Sequence, residues 1–534
     1  MGSLTETAAD GISPPDFLLT HTDLHGPAAA SGHNGFYAAV VREVDGSVIL
    51  ATDLLGLFPL YYYAQGDRLL FASAPGLLRL HPGVQTRPSP EGIAGLLLTM
   101  HLVGDQTIWQ GIRRVPYGKV VRWRAGRGTE TMDAARLVPG DQYHGFSESE
   151  ALDRVTAALD GAVRRAATGR EVAVMLSGGL DSRLIAGCIH DAAPQRVTAL
   201  TAGQRGDYEM ICASAVARTL RWPHRTWSED HGKWVEHGRM QAELEGLASS
   251  FVNPSWWNGL QHFAEVGKPT LTGHLGDPAM GGSHISWAED PESADHTFDR
   301  MLSRITQYGI SPEAARRQLR EDFFGDAVTS VIERLRDDFE STPGAPFQRA
   351  WVFDLVHRQR LHVAPICWRL ALGAWPVLPY ADRPLLETMA QMPRVYLVNR
   401  RLQYLMLHQR FPHLARLPLD RNNSNIRPPT RNLWWSLRAR FEASSLAERV
   451  IHRGRERRNY FRVYNLNSPG WVALRQAAEG GRPFLDTMVS HEHGRALVPP
   501  PTEAFHLNDH IIEGSLPKSL LGLMLLGKMM EPTP

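Results

Sequence analysis

Cysteine is scarce in this chain: there are three in 534 residues, Cys188, Cys212 and Cys367, with no CxxC pair and no zinc-ligand spacing. That excludes a disulfide-built scaffold and leaves the thiols as core residues of a chain in a reducing cytoplasm. Charge of one sign is lacking too. The 57 Lys and Arg offset 56 Asp and Glu, for a formal net charge of +1, so nothing draws nucleic acid or an anionic membrane from a distance. Long apolar runs are missing. The run Leu520 to Leu526, ahead of Lys528, falls short of the ~20 residues that span a bilayer and reads as a terminal helix packed on the body. Met1 to Pro15 has no basic start followed by an apolar stretch, so no secretory signal is read there. What remains, 43% hydrophobic and 21% charged residues over this length, is the composition of a globular protein large enough for two domains.

From Gly35 to Trp123 short strands are expected at Tyr37 to Val41, Ser47 to Thr52, Leu60 to Tyr63, Leu69 to Ala72 and Lys119 to Arg122. Turns separate them at Asp45-Gly46, Gly66-Asp67 and Pro116-Tyr117-Gly118. This β-rich part is assigned to residues 1–140. Ser147-Glu-Ser-Glu then caps a helix over Ala151 to Ala167 and opens a second part, 147–534. There the period changes. Apolar strands at Val172 to Leu176, Val197 to Thr201 and Pro269 to Thr272 alternate with helices at Arg183 to His190 and Asp207 to Leu220. That alternation argues for a parallel sheet with its ligand at the carboxyl ends of the strands. Beyond about residue 300 the sequence is mainly helical.

Val172 to Ser182 reads strand, loop, helix start, with Leu176, Ser177, Gly178, Gly179, Asp181 and Ser182 as the candidate nucleotide loop. Glycines let the backbone approach a phosphate without a Cβ in the way, and the serines and helix amides donate to it. Asp181 cannot attract phosphate directly; its expected task is to hold Mg2+. The loop lacks the GK[ST] ending of a Walker A motif, which weakens kinase and GTPase readings. A second strand and glycine-rich loop follow at Leu271-Thr-Gly-His-Leu-Gly-Asp-Pro-Ala-Met-Gly-Gly282. Here Asp277 is either a helix cap or a second carboxylate for the same ion, and the ligand is favoured.

SGGLDS resembles the PP-loop of ATP pyrophosphatases, and the two loops together resemble the synthetase part of the asparagine synthetase family. The N-terminal half agrees. Asn34-Gly-Phe-Tyr-Ala, Asp53-Leu-Leu-Gly-Leu-Phe-Pro-Leu-Tyr-Tyr and Leu70-Phe-Ala-Ser73 resemble that family's class II glutamine amidotransferase domain, and Pro379-Tyr-Ala-Asp382 its Pro-Phe-Leu-Asp segment. The resemblance implies an α/β fold: a β-rich, Ntn-type amidotransferase-like domain followed by a parallel-sheet ATP-binding domain with a helical C-terminal part. It implies ATP and Mg2+ as cofactors, with cleavage of ATP between the α and β phosphates and transfer of AMP to a carboxylate. Thr201, Gly203, Thr272 and Gly273 stand where the family contacts adenosine.

Departures from the pattern narrow the expectation. Residue 2 is Gly2, where the family's glutaminases carry a nucleophilic cysteine, and no cysteine precedes Cys188. The stretch ahead of Asn34 looks too short for glutamine-binding strands, so a degenerate domain without glutaminase activity is expected. His274 replaces a glutamate of the second loop and suggests a different acceptor; otherwise it is a loop histidine. Asp382 either orients the amine or its base, or caps a helix, and Tyr380 is either catalytic or core. The family's lysine after a Leu-Pro turn is missing, since no lysine lies between Lys268 and Lys518, and Arg421 or Arg427 is expected to supply the charge. Family members altered in this way use an amine already on the substrate, as in β-lactam synthetases and lasso peptide macrolactam cyclases, and the shortened N-terminal part looks more like the latter. That reading implies a leader-free precursor peptide as substrate, with a leader peptidase and leader-binding protein as possible partners, and no nucleic acid or membrane. Trp256, Trp257 and Trp287 form either core or an apolar wall for a peptide ring. The basic run Arg453 to Arg458 is a solvated face or a docking patch rather than a nucleic-acid stripe.

Overall fold

The computed structural model describes residues 2–4, 13–84, 87–251, 254–281, 298–420, 426–442, 444, 456–506 and 514–530. Two antiparallel sheets form the N-terminal part. A five-stranded sheet runs in the order Gly2–Leu4, Gly35–Arg42, Val48–Thr52, Lys119–Arg124 and Gly128–Asp133. Beside it, Tyr61–Gln65 pairs with both Arg68–Ala72 and Ile112–Arg114. Each strand read from the sequence lies within two residues of its expected place, because alternating apolar positions and Gly turns are local signals.

The stretch ahead of Asn34 is richer than the sequence suggested. Gly2–Leu4 adds an edge strand, and Pro14–His25 is a helix whose N-cap Ser13 accepts from the Asp16 amide. The edge strand leaves no room for a side chain at its start: a Cβ at Gly2 would lie 2.2 Å from the Tyr37 Cβ.

The helix Glu148–Ala167 starts in a full capping box, with the Ser147 amide donating to Glu150 Oε2 at 2.8 Å. It packs against the helices Leu180–Asp191, Arg383–Ala390 and Arg401–Arg410, which accompany a five-stranded parallel sheet ordered His224–Trp227, Arg196–Ala202, Glu171–Met175, Thr270–Leu271 and Pro376–Val377. The first edge strand and the Pro376–Val377 strand had no period strong enough to show in the sequence. Helices dominate beyond residue 298, and the last, Leu516–Met530, is buried: Leu520 to Leu526 are almost fully enclosed. Among the described residues no helix is long and apolar enough to cross a membrane.

A buried arginine joins the two parts, beside a second one within the first. Arg360, on the π-helical turn Leu355–Val363, donates to the Gly56 carbonyl at 3.2 Å and to the Val115 carbonyl at 2.6 Å, and Arg114 donates to Gly56 at 2.8 Å. Gly56 has φ +65, and a Cβ there would come within 2.9 Å of Arg360 Nε, so glycine is required twice over.

Candidate active site

Strand order reverses between Glu171–Met175 and Thr270–Leu271: the chain leaves the first strand toward Arg196–Ala202 on one side and returns on the other. A crevice opens outside the carboxyl ends at such a switch point. Here it is a cavity of about 600 Å3 lined by both predicted loops.

The first loop begins as its strand ends. Gly178 takes φ +79, and its missing Cβ would lie 2.6 Å from Cys212 Cβ. Gly179 is the N-cap of the helix Leu180–Asp191, so the free amides of the first turn face the cavity. Ser177 and Ser182 hydroxyls meet at 3.0 Å, and both side chains line the cavity. The second loop is pressed onto the first. A Cβ on Gly273 would come within 2.7 Å of the Ser182 nitrogen, and one on Gly276 within 2.6 Å of Asp181 Cβ. Fully buried Arg183 ties this assembly to the Leu417-Pro418 turn: it donates to the carbonyls of Leu414 and Leu417, each at 3.1 Å, and contacts Pro418. That turn brings Leu419 and Asp420 into the cavity wall.

Of the residues expected to hold nucleotide, Leu176, Ser177, Gly179, Asp181, Ser182, Thr201 and Gly273 line the cavity. Gly178, Gly203 and Thr272 lie behind it and shape the backbone. The Gly203 amide donates to the Trp227 carbonyl at 2.8 Å, and Thr272 is fully enclosed. The Thr201 hydroxyl is spent on the Leu176 carbonyl at 2.8 Å. His274 does line the cavity. Burial pulls its pKa down to about 4, so the imidazole is neutral near pH 7.

The remaining candidates stand away from the cavity or only partly on it. Asp382 occupies an N-cap position without capping by its side chain, and it does not line the cavity. Its carboxylate accepts from Arg165 at 2.5 Å and from the Asn34 side-chain amide at 2.8 Å, so it ties residues 1–140 to the rest of the chain. Tyr380 is enclosed and donates its hydroxyl to the Asp181 carbonyl at 3.1 Å; it braces the loop from behind. Arg427 is exposed and outside the cavity wall, and Arg421 lies outside the described residues. Trp256 lines the cavity, whereas Trp257 is buried and donates to Glu245; Trp287 lies outside the described residues. Within the basic run, Arg457 is 9% exposed and ion-paired with Glu442, and Arg458 pairs with Glu456 at 2.6 Å.

The structure adds residues that local pattern could not supply. Arg400 reaches Asp181 at 2.5 Å and Asp277 at 3.2 Å, and Gln403 donates to Asp181 at 2.7 Å. Burial alone would lower the Arg400 pKa, but the two carboxylates outweigh it and hold it above the usual value. Asp181 is raised, chiefly by burial, with Arg400 opposing. The two aspartates therefore converge on one cation position, which fits Mg2+. Among the described residues no three His, Cys, Asp or Glu side chains could hold a metal, so phosphate and water oxygens would complete its shell. An ion held there would supply charge to neutralise phosphate oxygens. Glu209, Glu229, Asp420 and Asn459 also line the cavity, and the Asp420 amide donates to the Gly178 carbonyl at 3.1 Å. Burial, then Asp420 and Asp207, push Glu209 up to about 8.

Comparison with known proteins agrees with this architecture. Residues 154–422 match the asparagine synthase family model and 6–132 the glutamine amidotransferase domain model. The carboxyethyl-arginine beta-lactam-synthase of Streptomyces clavuligerus is 34% identical over 211 residues, 39% of this chain and 37% of that protein. The match thus spans little more than a third of the relative's length. An NMN synthetase structure from Francisella tularensis aligns over 40% of this chain and 96% of that one at 18% identity, with a TM-score of 0.19, too low to inform the fold. The asparagine synthase match spans half of the chain, from the Glu148–Ala167 helix past both loops to the Leu417-Pro418 turn, and this chain belongs to the asparagine synthase family.

Proposed function

We propose that this chain is an ATP-dependent, AMP-forming amide ligase whose substrate carries both the carboxylate and the attacking amine. The observation that carries the reading is the closed pair of loops at the sheet's switch point, with the serines, the first helical turn and Asp181 lining one cavity and Asp277 joined to Asp181 through Arg400 behind its wall. A carboxylate and an amine form a salt in water because the carboxylate oxygen is a poor leaving group. Transfer of AMP to that oxygen supplies a good one. The amine then attacks the acyl carbon and AMP departs, while binding both ends of one molecule replaces a bimolecular encounter. An amine brought by the substrate accords with the N-terminal part, where Gly2 has no space for the family's cysteine and no cysteine occurs before Cys188. Residues 1–140 then act as a platform clamped to the ligase part through Asn34, Gly56 and Arg360.

For the substrate, a small amino acid-like molecule is the first reading. It draws on the 34% identity to a β-lactam synthase and on a cavity of about 600 Å3 that would have to hold the nucleotide as well. A lasso peptide cyclase is the second. It would adenylate an Asp or Glu side chain of a leader-free core peptide and close a macrolactam with the peptide's N-terminal amine. The aromatic wall of Trp227, Trp256, Phe263 and Tyr464 suits peptide side chains and favours it. Such a cyclase would work in the cytoplasm with a leader peptidase and a leader-binding protein.

Mass spectrometry of enzyme with Mg·ATP and either β-amino-acid substrates or candidate core peptides tests both. Loss of one water from the substrate together with AMP and pyrophosphate, absent in Asp181→Ala, is the expected result. Release of ADP, or turnover that survives the substitution, would overturn the reading.

A further inference from the structure

Departing pyrophosphate calls for a cation, and of the two arginines first expected to provide it, Arg427 is exposed and outside the cavity wall while Arg421 lies outside the described residues. Among the described residues Arg400 is the one lysine or arginine that lines the cavity. Its placement is forced by the backbone. Asn399 and Arg400 both take left-handed conformations, φ 55 and φ 61, just before the helix Arg401–Arg410. Two consecutive non-glycine residues in that region are costly, and such strain persists where the surrounding structure holds it. The turn delivers the guanidinium to the point where Asp181 and Asp277 converge, with Nε also donating to Gln403 at 2.7 Å.

We propose that Arg400 is the phosphate-binding cation of this site, held on the Asp181–Asp277 pair in the nucleotide-free chain and turned onto the β and γ phosphates when Mg·ATP binds. The proposal rests on the ligase reading above. Mg2+ and a guanidinium cannot share one position between two carboxylates, so arrival of the metal with its nucleotide releases the side chain beside the triphosphate. A guanidinium offers a planar fork of donors that matches two phosphate oxygens at once. In the first half-reaction a substrate carboxylate oxygen bonds to the α-phosphorus while the bond from that phosphorus to the bridging oxygen breaks. The bond's electron pair leaves with pyrophosphate. Arg400 transfers no proton; it holds the charge that develops on the leaving oxygens.

Isothermal titration of the full chain with Mg2+ alone, magnesium pyrophosphate and AMP tests this, together with ATP–pyrophosphate exchange. In Arg400→Gln and Arg400→Met, pyrophosphate affinity and exchange are expected to fall by about tenfold or more, with Arg400→Lys restoring part of the loss. AMP affinity should stay within about twofold, and Mg2+ alone should bind more tightly because its competitor is gone. Methionine keeps the apolar stem, so it serves if the glutamine variant does not fold. Unchanged pyrophosphate affinity in either folded neutral variant overturns the role of Arg400 and leaves the ligase reading standing. A wild-type chain that binds neither Mg·ATP nor pyrophosphate overturns both.

Discussion

Asp382→Ala separates two roles that the sequence alone left open. In the structure its carboxylate is 6% exposed and receives two donors, Arg165 at 2.5 Å and Asn34 at 2.8 Å. The Arg165 side chain is 36% exposed, so water can replace its partner, and screening limits that loss to about 1 kcal/mol or less. Asn34 is 7% exposed, and its Nδ2 would lose its acceptor at a cost of about 1–3 kcal/mol. The variant should therefore be less stable by roughly 2–3 kcal/mol, read as a lower urea midpoint, with the N-terminal part released first under limited proteolysis. Product formation per folded molecule should stay within about threefold of wild type, because removal of a general base costs roughly a hundredfold or more. An unchanged urea midpoint together with a hundredfold loss of amide formation would refute the joint and restore Asp382 to the chemistry.

Two further outcomes follow from the geometry. Glu209 titrates near 8 in the folded chain and near its ordinary value when unfolded, so between these the folded state binds the extra proton and stability falls as pH rises. Glu209→Gln should match wild type below pH ~4.5 and exceed it by up to about 5 kcal/mol above pH ~8. Equal midpoints for the two proteins at alkaline pH would show that Glu209 is not enclosed as described. Gly178→Ala would force a Cβ to 2.6 Å from Cys212 and 2.8 Å from the Glu209 carbonyl at φ +79. Mg·ATP affinity should drop about tenfold or more, since left-handed backbone alone costs about 1–2 kcal/mol there and the clash adds to it. Wild-type affinity by calorimetry would rule out the tight loop.

By itself, the sequence determined the elements and the two glycine-rich loops. Capping at Ser147 and Glu150, the apolar strands, and glycine at 178, 179, 273 and 276 are choices that a few neighbouring residues make among themselves. Their chemistry is visible wherever the local pattern is visible. Short strands such as His224–Trp227 and Pro376–Val377 were not legible, because they are ordered by their neighbours in the sheet and not by a period of their own. What only the tertiary structure decided is which charges meet. Arg400 joins Asp181 across 219 residues, Asn34 joins Asp382 across 348, and Arg360 reaches Gly56 across 304. Nothing in a window of sequence distinguishes Arg400 from Arg427, or Asp382 from Asp277. The difference is made by the left-handed turn at Asn399 and by the packing of helices on the parallel sheet, which place one arginine beside the glycine-rich loops and the other at the exposed surface.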